Sequence, residues 1–458
     1  MITGTYSLLI DWNNDGTFST SDENVTSRTL YIEYERGRDF ASQLVGRSKA
    51  GQLTAELNNE SKDYSPFNSA SPLTGSLLPG RKVQLQGGTT APSENILWTG
   101  YLDRIEVKPD ARGLNTARIT AISPLGYLNQ KEVSMPMVTD MLTGTVIGTL
   151  LDKAGWGTAR NLDVGKTTLA RFWTDREPTI NALRKVEETE AGFIVETKDG
   201  TIAFEDRHHR LASPHTASQA IFTDSGTGTL VYQDIEQEDP LPHIFNILEA
   251  EIQKFSIGTT STLWSLSDTG TKSKIERDSG SRTFWALFPN PDSATDAFGV
   301  ASWDNLTTAD YTANSDPSGS GGTDVTDKIS VIQTKLGNSM KLVLTNSGTF
   351  DAYLSLLQAQ GTALSRLDPV RVSSEDSASQ TLYGERTYPN PAEFIPDVQE
   401  GQDWCDFNKG IYKDPIPIIR ISFLANKDQS HLQETFTRDI SDRITIVGTG
   451  SAGLGVAE

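Results

Sequence analysis

The fold of this chain is constrained most by two short stretches in which polar and apolar residues alternate strictly. A loop rich in turn residues separates them. Residues 52–57 (QLTAEL) and 82–86 (KVQLQ) alternate with a period of two, which is typical of β-strands that bury one face. The intervening loop contains Ser65-Pro66, Ser71-Pro72 and Pro79-Gly80, and each dipeptide indicates a turn. Ordered loops of this length between strands are uncommon and are often functional. The segment therefore predicts β-structure with one prominent loop.

Patterns along the first half of the chain predict two parts of different character. Several short strands separated by turn signals predict a barrel or sandwich in residues 1–130. In residues 131–210, apolar residues at helical spacing predict helices over 145–154 and 178–190. Pro178 suits the first turn of the second helix, and Gly192 suits the position after its C-terminus. A strand pair follows around the turn Asp199-Gly200, so this part is predicted to be a small α+β module.

The second half of the chain is predicted to contain one β domain inserted into another. Strand patterns in residues 211–253 resume in residues 366–458, which suggests that these two segments form one domain. Residues 254–365 between them are predicted to be a separate β-sandwich. Within the last segment, 381–386 is predicted to be a strand and 392–411 to be partly helical. The glycine-rich sequence near the C-terminus has the character of a turn whose next strand is missing.

Composition limits the class of protein. The sequence of 458 residues is long enough for about three domains, and 22% charged with 36% apolar residues favours a loop-rich globular β-protein over disorder. No apolar run approaches the ~18 residues of a membrane-spanning helix, and the N-terminus is not expected to be a secretory signal. The single cysteine, Cys405, excludes an internal disulfide and is expected to be structural. The net charge of −20 is expected to repel nucleic acid, or simply to favour solubility.

One loop near the N-terminus has the residue pattern of a calcium site. Calcium prefers several oxygen ligands arranged around a tight glycine turn, and Gly16 stands at position six when Asp11 is counted as position one. The candidate ligands are the side chains at positions one, three, five, nine and twelve and the carbonyl at position seven: Asp11, Asn13, Asp15, Ser19, Asp22 and Thr17. The alternative is a polar hairpin whose side chains bind only local backbone groups. Calcium is the only cofactor the sequence suggests, and its role would be to stiffen the loop.

Other motifs that carry chemistry elsewhere are interpreted here as structural. Gly165-Lys166-Thr167 ends like a phosphate-binding loop, but Arg160 stands where that motif requires its first glycine. His208 and His209 are adjacent in the sequence, and neighbours on an extended chain point to opposite faces, so a shared metal ion is not expected. His215, His243 and His431 have no candidate ligands at metal spacing.

No catalytic motif is identified, and the aromatic residues of the predicted sandwich have two interpretations. No residue pattern singles out a carboxylate pair for glycoside hydrolysis, so the chain is not expected to be an enzyme. The aromatic residues that could stack on sugar rings if exposed are Trp264, Phe284, Trp285 and Trp303. We expect them to belong to the core of the domain instead.

Several short segments, taken in their order along the chain, resemble those of a known protein family. In the first half of the chain the resemblance includes Asp11-Trp-Asn13 with Asp15-Gly16, Arg36-Gly-Arg-Asp39, 51–57, Tyr64-Ser-Pro66, Leu78-Pro-Gly-Arg81, Ala154-Gly-Trp156 and Phe172-Trp173. In the second half it includes Phe204-Glu-Asp-Arg207, 310–314, Ala352-Tyr-Leu354 and Asp439-Ile-Ser-Asp-Arg443. In this order, the segments resemble the hub proteins at the distal end of siphophage tails, which are also called minor tail or baseplate hub proteins. The resemblance depends on the order of the motifs, since no single motif is diagnostic.

This resemblance implies a structural virion component rather than an enzyme. It implies a mainly β protein with a small α+β module, two tail-tube-like β-barrel domains (1–130, and 211–253 with 366–458) and an inserted β-sandwich. Three copies would form a ring that adapts the sixfold tube to a threefold tip and lets DNA pass without specific binding. The implied partners are distal tail or tail tube proteins, the tape measure protein, and tip or fibre proteins. The protein would be made in the host cytoplasm and incorporated at the tail tip.

Two other functions remain open at this stage. A multi-domain surface adhesin would use the β-sandwich 254–365 to bind glycans, and a tip-associated hydrolase would cleave glycan or peptidoglycan. Oligomeric state and glycan binding distinguish the first from a hub. Loss of cleavage on changing one carboxylate would identify the second. Hub proteins commonly continue beyond the point where this sequence ends. The last strands of the fold are therefore expected to come from another chain.

Overall fold

The structure is a computed structural model that describes most of the chain, namely residues 3–38, 48–89, 95–109, 115–157, 159–224, 230–238, 241–289, 299–319, 321–390, 394–448 and 455–457. Asp39, the start of the predicted helical segment at 392–393 and most of the glycine-rich tail lie outside these residues. The protein is mainly β-structure with a small helical content, which confirms the predicted fold class.

The first part of the chain forms one antiparallel sheet of six strands around a buried core. Its order is β1-β4-β5-β6-β3-β2, so β1 and β2 are the outermost strands. The inward residues of β3 are Leu53, Ala55 and Leu57, all fully buried, and they confirm the alternation seen in the sequence. The strands are β1 (Thr5–Ile10), β2 (Thr29–Arg38), β3 (Ser48–Asn58), β4 (Lys82–Gly88), β5 (Asn95–Lys108) and β6 (Thr116–Ile122).

The next part packs three helices against a two-stranded ribbon and a three-stranded sheet. Long β7 and β9 pair antiparallel with each other, and β10, β11 and β8 form the small sheet. The elements are α1 (Pro124–Leu128), β7 (Glu132–Leu142), α2 (Thr143–Lys153), β8 (Arg160–Leu162), β9 (Thr168–Pro178), α3 (Thr179–Glu190), β10 (Phe193–Glu196) and β11 (Ile202–Glu205). The two predicted helices and the hairpin are confirmed. The ribbon was not anticipated, because two register shifts between its strands interrupt the period of two.

The end of α3 departs from the prediction in one detail. Ala191, not Gly192, adopts the left-handed conformation that ends the helix, with φ of 55°. Gly192 is required for another reason: a Cβ atom there would lie 2.5 Å from the carbonyl oxygen of Glu205 on the neighbouring strand. The glycine therefore permits the close approach of β10 to β11 rather than the turn.

Residues 220–252 contribute short strands that pair mainly with strands from the C-terminal part. They are β12 (Ala220–Thr223), β13 (Leu230–Val231), β14 (Asp234–Glu238) and β15 (Ile247–Ile252). The chain then enters a region of eight strands, which among the described residues pair only with one another. They are β16 (Phe255–Ser265), β17 (Lys274–Ile275), β18 (Gly280–Leu287), β19 (Gly299–Trp303), β20 (Tyr311–Asn314), β21 (Ile329–Lys335), β22 (Ser339–Asn346) and β23 (Ala352–Arg366).

This region is built from two sheets with a common core. β23 pairs with β16, β17, β19 and β20, while β18, β22 and β21 form the second sheet. Buried leucines of β22 (Leu342 and Leu344) and of β23 (Leu354 and Leu357) share one cluster. The region also packs against the preceding α+β part, since Ala301 and Leu364 belong to the same core as Phe172.

The C-terminal part returns to the strands of residues 220–252. β27 pairs with β12, β26 with β14, and β15 lies between β24 and β25. The elements are β24 (Val370–Glu375), α4 (Ser377–Tyr383), β25 (Thr387–Asn390), α5 (Val398–Tyr412), β26 (Ile418–Ser422), α6 (Gln429–Thr437), β27 (Ile444–Gly448) and β28 (Gly455–Ala457). These strands lie in three sheets, and some pair in parallel, so they do not repeat the order of the six-stranded sheet.

Two predictions for this part are corrected, and one helix was not predicted. Residues 381–386 were expected to be a strand, but residues 381–383 form the last turn of α4. Asp376 caps this helix by accepting a hydrogen bond from the Ser379 amide. Helix α6 was not anticipated, although Asp428 caps it in the same way. The turn after β27 was expected to lack its next strand, but β28 pairs antiparallel with β27.

The segment Asp439–Arg443, part of the family resemblance, joins three parts of the molecule. Asp439 accepts hydrogen bonds from Arg36 in the first sheet and from the backbone amide of Lys198 in the β10–β11 hairpin. The Ser441 hydroxyl donates to Glu205 at 2.5 Å, and its carbonyl oxygen lies 2.9 Å from His215 Nδ1. This motif therefore acts as a structural junction.

Candidate metal centre

The loop predicted to bind calcium follows β1 directly and carries two buried carboxylates. Asp11 is the first residue after β1, and its exposed fraction is 1%. Glu23 ends a short 3-10 helix, Ser21–Glu23, and is also 1% exposed. One ligand oxygen each from Asp11, Asp15 and Glu23 lies within 4.8 Å of the others. No other group of three or more such ligand side chains is found in the described part of the chain.

The structure brings two of the predicted ligands together with Glu23, which was not among the predicted residues. Asp11 and Asp15 converge as predicted, whereas Asp22 and Ser19 are exposed, and Asp22 is not a member of the cluster. The 3-10 helix orients consecutive side chains in different directions, so Asp22 points to solvent and Glu23 is buried. The sequence held a signal for this: Thr20 and Glu23 have the spacing of a helix capping box, and the Thr20 amide donates to Glu23 Oε2 at 2.8 Å.

Hydrogen bonds from the backbone hold the first two carboxylates in place. The amides of Asp15 and Gly16 donate to the two carboxylate oxygens of Asp11, at 3.1 and 2.9 Å. Asn13 Oδ1 accepts from the Asp15 amide at 2.9 Å, and Asn13 Nδ2 donates to Asp15 Oδ2 at 3.1 Å. Side-chain and backbone hydrogen bonds from Thr17 lower the pKa of Asp15 below its usual value, so this carboxyl group is ionised at neutral pH.

The residues after Glu23 close the side of the first sheet next to β1. The Val25 amide donates to the Leu8 carbonyl at 3.0 Å, and the Leu8 amide donates to Thr26 Oγ1 at 2.9 Å. Val25 is fully buried in the core of this sheet. We call residues 24–28 the seam, because they cover the edge of β1 and lead directly into β2, the opposite outermost strand.

The same closure occurs a second time, between β20 and β21. The Val325 amide donates to the Ala313 carbonyl at 3.0 Å, and the Ala313 amide donates to Thr326 Oγ1 at 2.9 Å. A short 3-10 helix follows in both places, Thr26–Arg28 in the first and Thr326–Lys328 in the second. Asp316 binds the amide and hydroxyl of Ser318 as Asp15 binds those of Thr17. The position equivalent to Glu23, two residues before the buried valine, is Thr323.

The segment that resembles a phosphate-binding loop is occupied by a side chain of the protein itself. Gly165 has φ of 88°, and the amides of Lys166 and Thr167 that follow it donate to the Glu190 carboxylate at 2.8–3.1 Å. Glu190 is fully buried and also accepts from the Thr143 hydroxyl at 2.8 Å. The anion that this loop binds is therefore internal.

Three of the five histidines, His209, His215 and His431, have structural partners. His209 Nδ1 lies 2.7 Å from Asp163 Oδ2, and the centroids of the His209 and His215 rings are 4.8 Å apart. This contact was not predicted from the sequence. His431 is fully buried, with Nδ1 2.8 Å from Asp428 and Nε2 at hydrogen-bond distance from the backbone of Val231. No histidine of the described chain belongs to a group of three metal-ligand side chains.

Most aromatic residues of the two-sheet region are core residues. Trp264, Phe284 and Trp303 are at most 8% exposed and belong to its central cluster. Trp285 is 39% exposed, but the guanidinium group of Arg176 lies 5.1 Å from the ring centroid. Stacking between aromatic rings and sugars requires an exposed face, so these four residues do not form a glycan platform.

Cys405 lies in α5, is fully buried, and packs with Leu248, Ala250 and Trp404. Burial raises the pKa of its thiol to about 11. Because the thiolate is the reactive form, we expect the folded protein at pH 8 to react with Ellman's reagent at least about 100-fold more slowly than the protein in guanidinium chloride. Absorbance at 412 nm measures both rates. A fast reaction in the native state would show that α5 opens readily.

Comparisons with known proteins come mainly from solved structures. No protein-family model matches the chain, and no curated protein matches it. The structure is similar to a 43 kDa tail protein of prophage MuSo2 from Shewanella oneidensis, at 11% identity and a TM-score of 0.35, over 54% of this chain and 65% of that one. A tail protein from Neisseria meningitidis matches at 12% identity and a TM-score of 0.37, over 54% of this chain and 64% of that one.

A third similar structure covers more of the chain. It is the c3393 protein of E. coli, a type VI secretion component described as similar to tail proteins of bacteriophage T4, at 8% identity and a TM-score of 0.30. The match covers 77% of this chain and 76% of that one. For the two tail proteins above, the matched region is less than two thirds of their length. In the described residues, no helix is both long and apolar enough to cross a membrane.

Proposed function

We propose that this chain is a structural component of a phage tail, and that three copies form the hub at the distal end of the tail tube. The hub would adapt the sixfold tube to a threefold tip and leave a channel for DNA. The proposal is supported by the ordered sequence resemblance to tail hub proteins and by one structural observation, the free edge of β2. It assigns no catalytic role to the chain.

Strand β2 has the properties of a strand that pairs with another subunit. It is ten residues long, and no strand in the described part of the chain pairs with its outer edge. Leu30 is 60% exposed, Tyr31 53% and Tyr34 38%. Long exposed edge strands with apolar side chains favour association with other chains, and most folds shorten or cover them. A second copy of this chain is the proposed occupant, because closed rotational assembly would cover this edge in every subunit.

The outer face of the same sheet carries charges of both signs. Register places Tyr31, Glu56, Arg118 and Glu106 in one row across β2, β3, β6 and β5. Such a row offers no large basic area for phosphate groups, in agreement with the net charge of −20. A channel wall of this kind would let DNA slide past without being retained. The proposed neighbours are distal tail or tube proteins, the tape measure protein and tip proteins, and the proposed location is the tail tip of the virion.

The two sets of strands that the resemblance assigns to barrels differ in order, as described above. The proposal therefore depends on association of three copies through β2, and not on two superposable barrels in each copy. The six-stranded sheet is the part that we assign to the ring.

The proposal predicts that the wild-type protein is a trimer and that Leu30→Lys separates it into single chains. A lysine in this edge would carry its charge into the subunit contact, which costs several kcal/mol when it is unpaired. Multi-angle light scattering on a sizing column measures the mass, and negative-stain images of the wild type should show a three-lobed ring.

Ile332→Lys is the matched control. Ile332 is 67% exposed on β21, the outermost strand of a different sheet, so the same chemical change should leave the trimer intact. A wild-type protein of single-chain mass at high concentration, or a Leu30→Lys variant that remains trimeric, would contradict the proposal.

A further inference from the structure

Glu23 presents a buried carboxylate oxygen that lacks a hydrogen-bond partner. The side chain is 1% exposed, and while Oε2 accepts from the Thr20 amide, Oε1 has no partner among the described residues. An unpaired buried carboxylate is unfavourable by several kcal/mol unless it is protonated or meets a cation. The loop therefore contains an oxygen that is already desolvated and available to a ligand.

Two more carboxylates face the same place without a counter-charge from the protein. One oxygen each of Asp11, Asp15 and Glu23 lies within 4.8 Å of the others. None of the three forms an ion pair with a lysine, arginine or histidine of the described chain. Both Asp11 oxygens accept one backbone hydrogen bond each, which leaves a further lone pair on each for a metal ion. Three negative groups this close repel one another, and a divalent cation removes the repulsion.

We propose that Asp11, Asp15 and Glu23 bind a calcium ion. The ligands are hard oxygen donors, which calcium accepts in irregular arrangements at a coordination number of about six to eight, whereas magnesium requires a tighter octahedral arrangement. Loop carbonyl groups and water supply the remaining oxygens. This inference does not depend on the proposed role in a tail, since it follows from the loop alone.

The repeated closure at residues 313–328 argues against a purely structural role for these carboxylates. It makes the same two backbone connections and the same 3-10 turn, yet Thr323 stands in the place of Glu23. Closing this type of loop therefore does not require a buried glutamate. The extra carboxylates of the first loop need another explanation, and cation binding provides one.

A bound ion would fasten the seam of the six-stranded sheet. Asp11 continues from β1, and Glu23 immediately precedes residues 24–28, which cover the edge of β1 and lead into β2. An ion shared by Asp11 and Glu23 would connect the end of β1 to the start of the seam. Binding to the folded state alone raises its stability with the concentration of free ion.

Terbium luminescence tests the site directly, because Tb³⁺ occupies calcium sites and is excited by a nearby tryptophan. Trp12 is adjacent to Asp11 and 3% exposed, so it is suited to act as the sensitiser. Full-length protein treated with EDTA should give sensitised emission on addition of Tb³⁺, and calcium should displace it. In parallel, the midpoint of thermal unfolding should rise with calcium and return to its starting value with EDTA.

Two variants and one control decide the assignment. Glu23→Gln and the exposed Asp15→Asn should each weaken Tb³⁺ and calcium binding at least tenfold and remove the thermal shift. Asp15→Asn keeps an acceptor for Thr17, so it should fold even if Glu23→Gln does not. Asp316→Asn, the equivalent change in the second loop, should behave as wild type. Wild-type protein without displaceable Tb³⁺ emission, or emission that survives both substitutions, would overturn the proposal.

Discussion

Replacing Gly144 by alanine is expected to destabilise the protein by about 3 kcal/mol or more. Gly144 lies in the first turn of α2 and is buried against the loop that follows β8. A Cβ atom at this position would lie 1.9 Å from the Asp163 carbonyl oxygen and 2.7 Å from that of Val164. Both are backbone atoms, so the loop itself must move, and overpacking of this kind costs about 1–3 kcal/mol or more. The displacement would also break the hydrogen bond from the Gly144 amide to Val164.

Gly148→Ala, one turn further along the same helix, is the matched control and should have the opposite sign. A Cβ atom there would meet only Leu162 Cδ1 at 3.6 Å, which is ordinary contact. Alanine in a helix interior is favoured over glycine by about 0.5–1 kcal/mol. Calorimetry and urea denaturation of both variants measure the difference. Equal effects of the two substitutions would show that helix propensity, not the contact with the loop, determines stability here.

Replacing Glu190 by alanine is expected to reduce the free energy of unfolding by about 3–5 kcal/mol. The substitution leaves two backbone amides, those of Lys166 and Thr167, and the Thr143 hydroxyl without their acceptor. Each buried donor left unsatisfied costs about 1–3 kcal/mol. Glu132→Ala is the control, because it removes one negative charge at an exposed position in the same part of the chain. It should change the free energy of unfolding by less than about 0.5 kcal/mol.

The same variant should show rescue by oxyanions. Without Glu190, the amides after Gly165 would point into a vacated space of the kind that binds phosphate. Sulfate or phosphate should therefore restore part of the lost stability of Glu190→Ala and change the wild type much less. Sodium chloride at equal ionic strength controls for screening. Equal stabilisation of both proteins by the oxyanions would show that the amides do not form an anion site.

Much of the local structure could be predicted from the sequence. The alternation in β3 and β4, the apolar spacing of α2 and α3 and the Asp199-Gly200 turn each depend on residues close in the chain, and the structure confirms them. Prediction of strands from sequence pattern was wrong or incomplete where a helix cap or a register shift changed the local structure. Asp376 caps α4, whose last turn lies in the predicted strand 381–386, and register shifts hide the period of β7 and β9.

The candidate site was predicted only in part, for a geometric reason. Asp11 and Asp15 follow from their spacing around Gly16, since a tight turn brings alternate side chains together. Counting positions selected Asp22 as the last ligand, but a single turn of 3-10 helix exposes Asp22 and buries Glu23. A difference of one residue in a loop cannot be resolved by spacing alone, because it depends on how the loop packs on the sheet.

The mainly β class, the positions of most strands and the acidic loop after β1 can all be predicted from the amino-acid sequence. Those properties arise from side-chain periodicity and turn chemistry within a few residues. Three contacts become visible only in the folded chain: Glu190 fills the loop after Gly165, Asp439 joins Arg36 to Lys198, and Glu23 rather than Asp22 turns inward. The first two contacts join groups that are distant in the chain, and the third depends on a single turn of 3-10 helix. Packing in the folded state determines which of these groups are buried together.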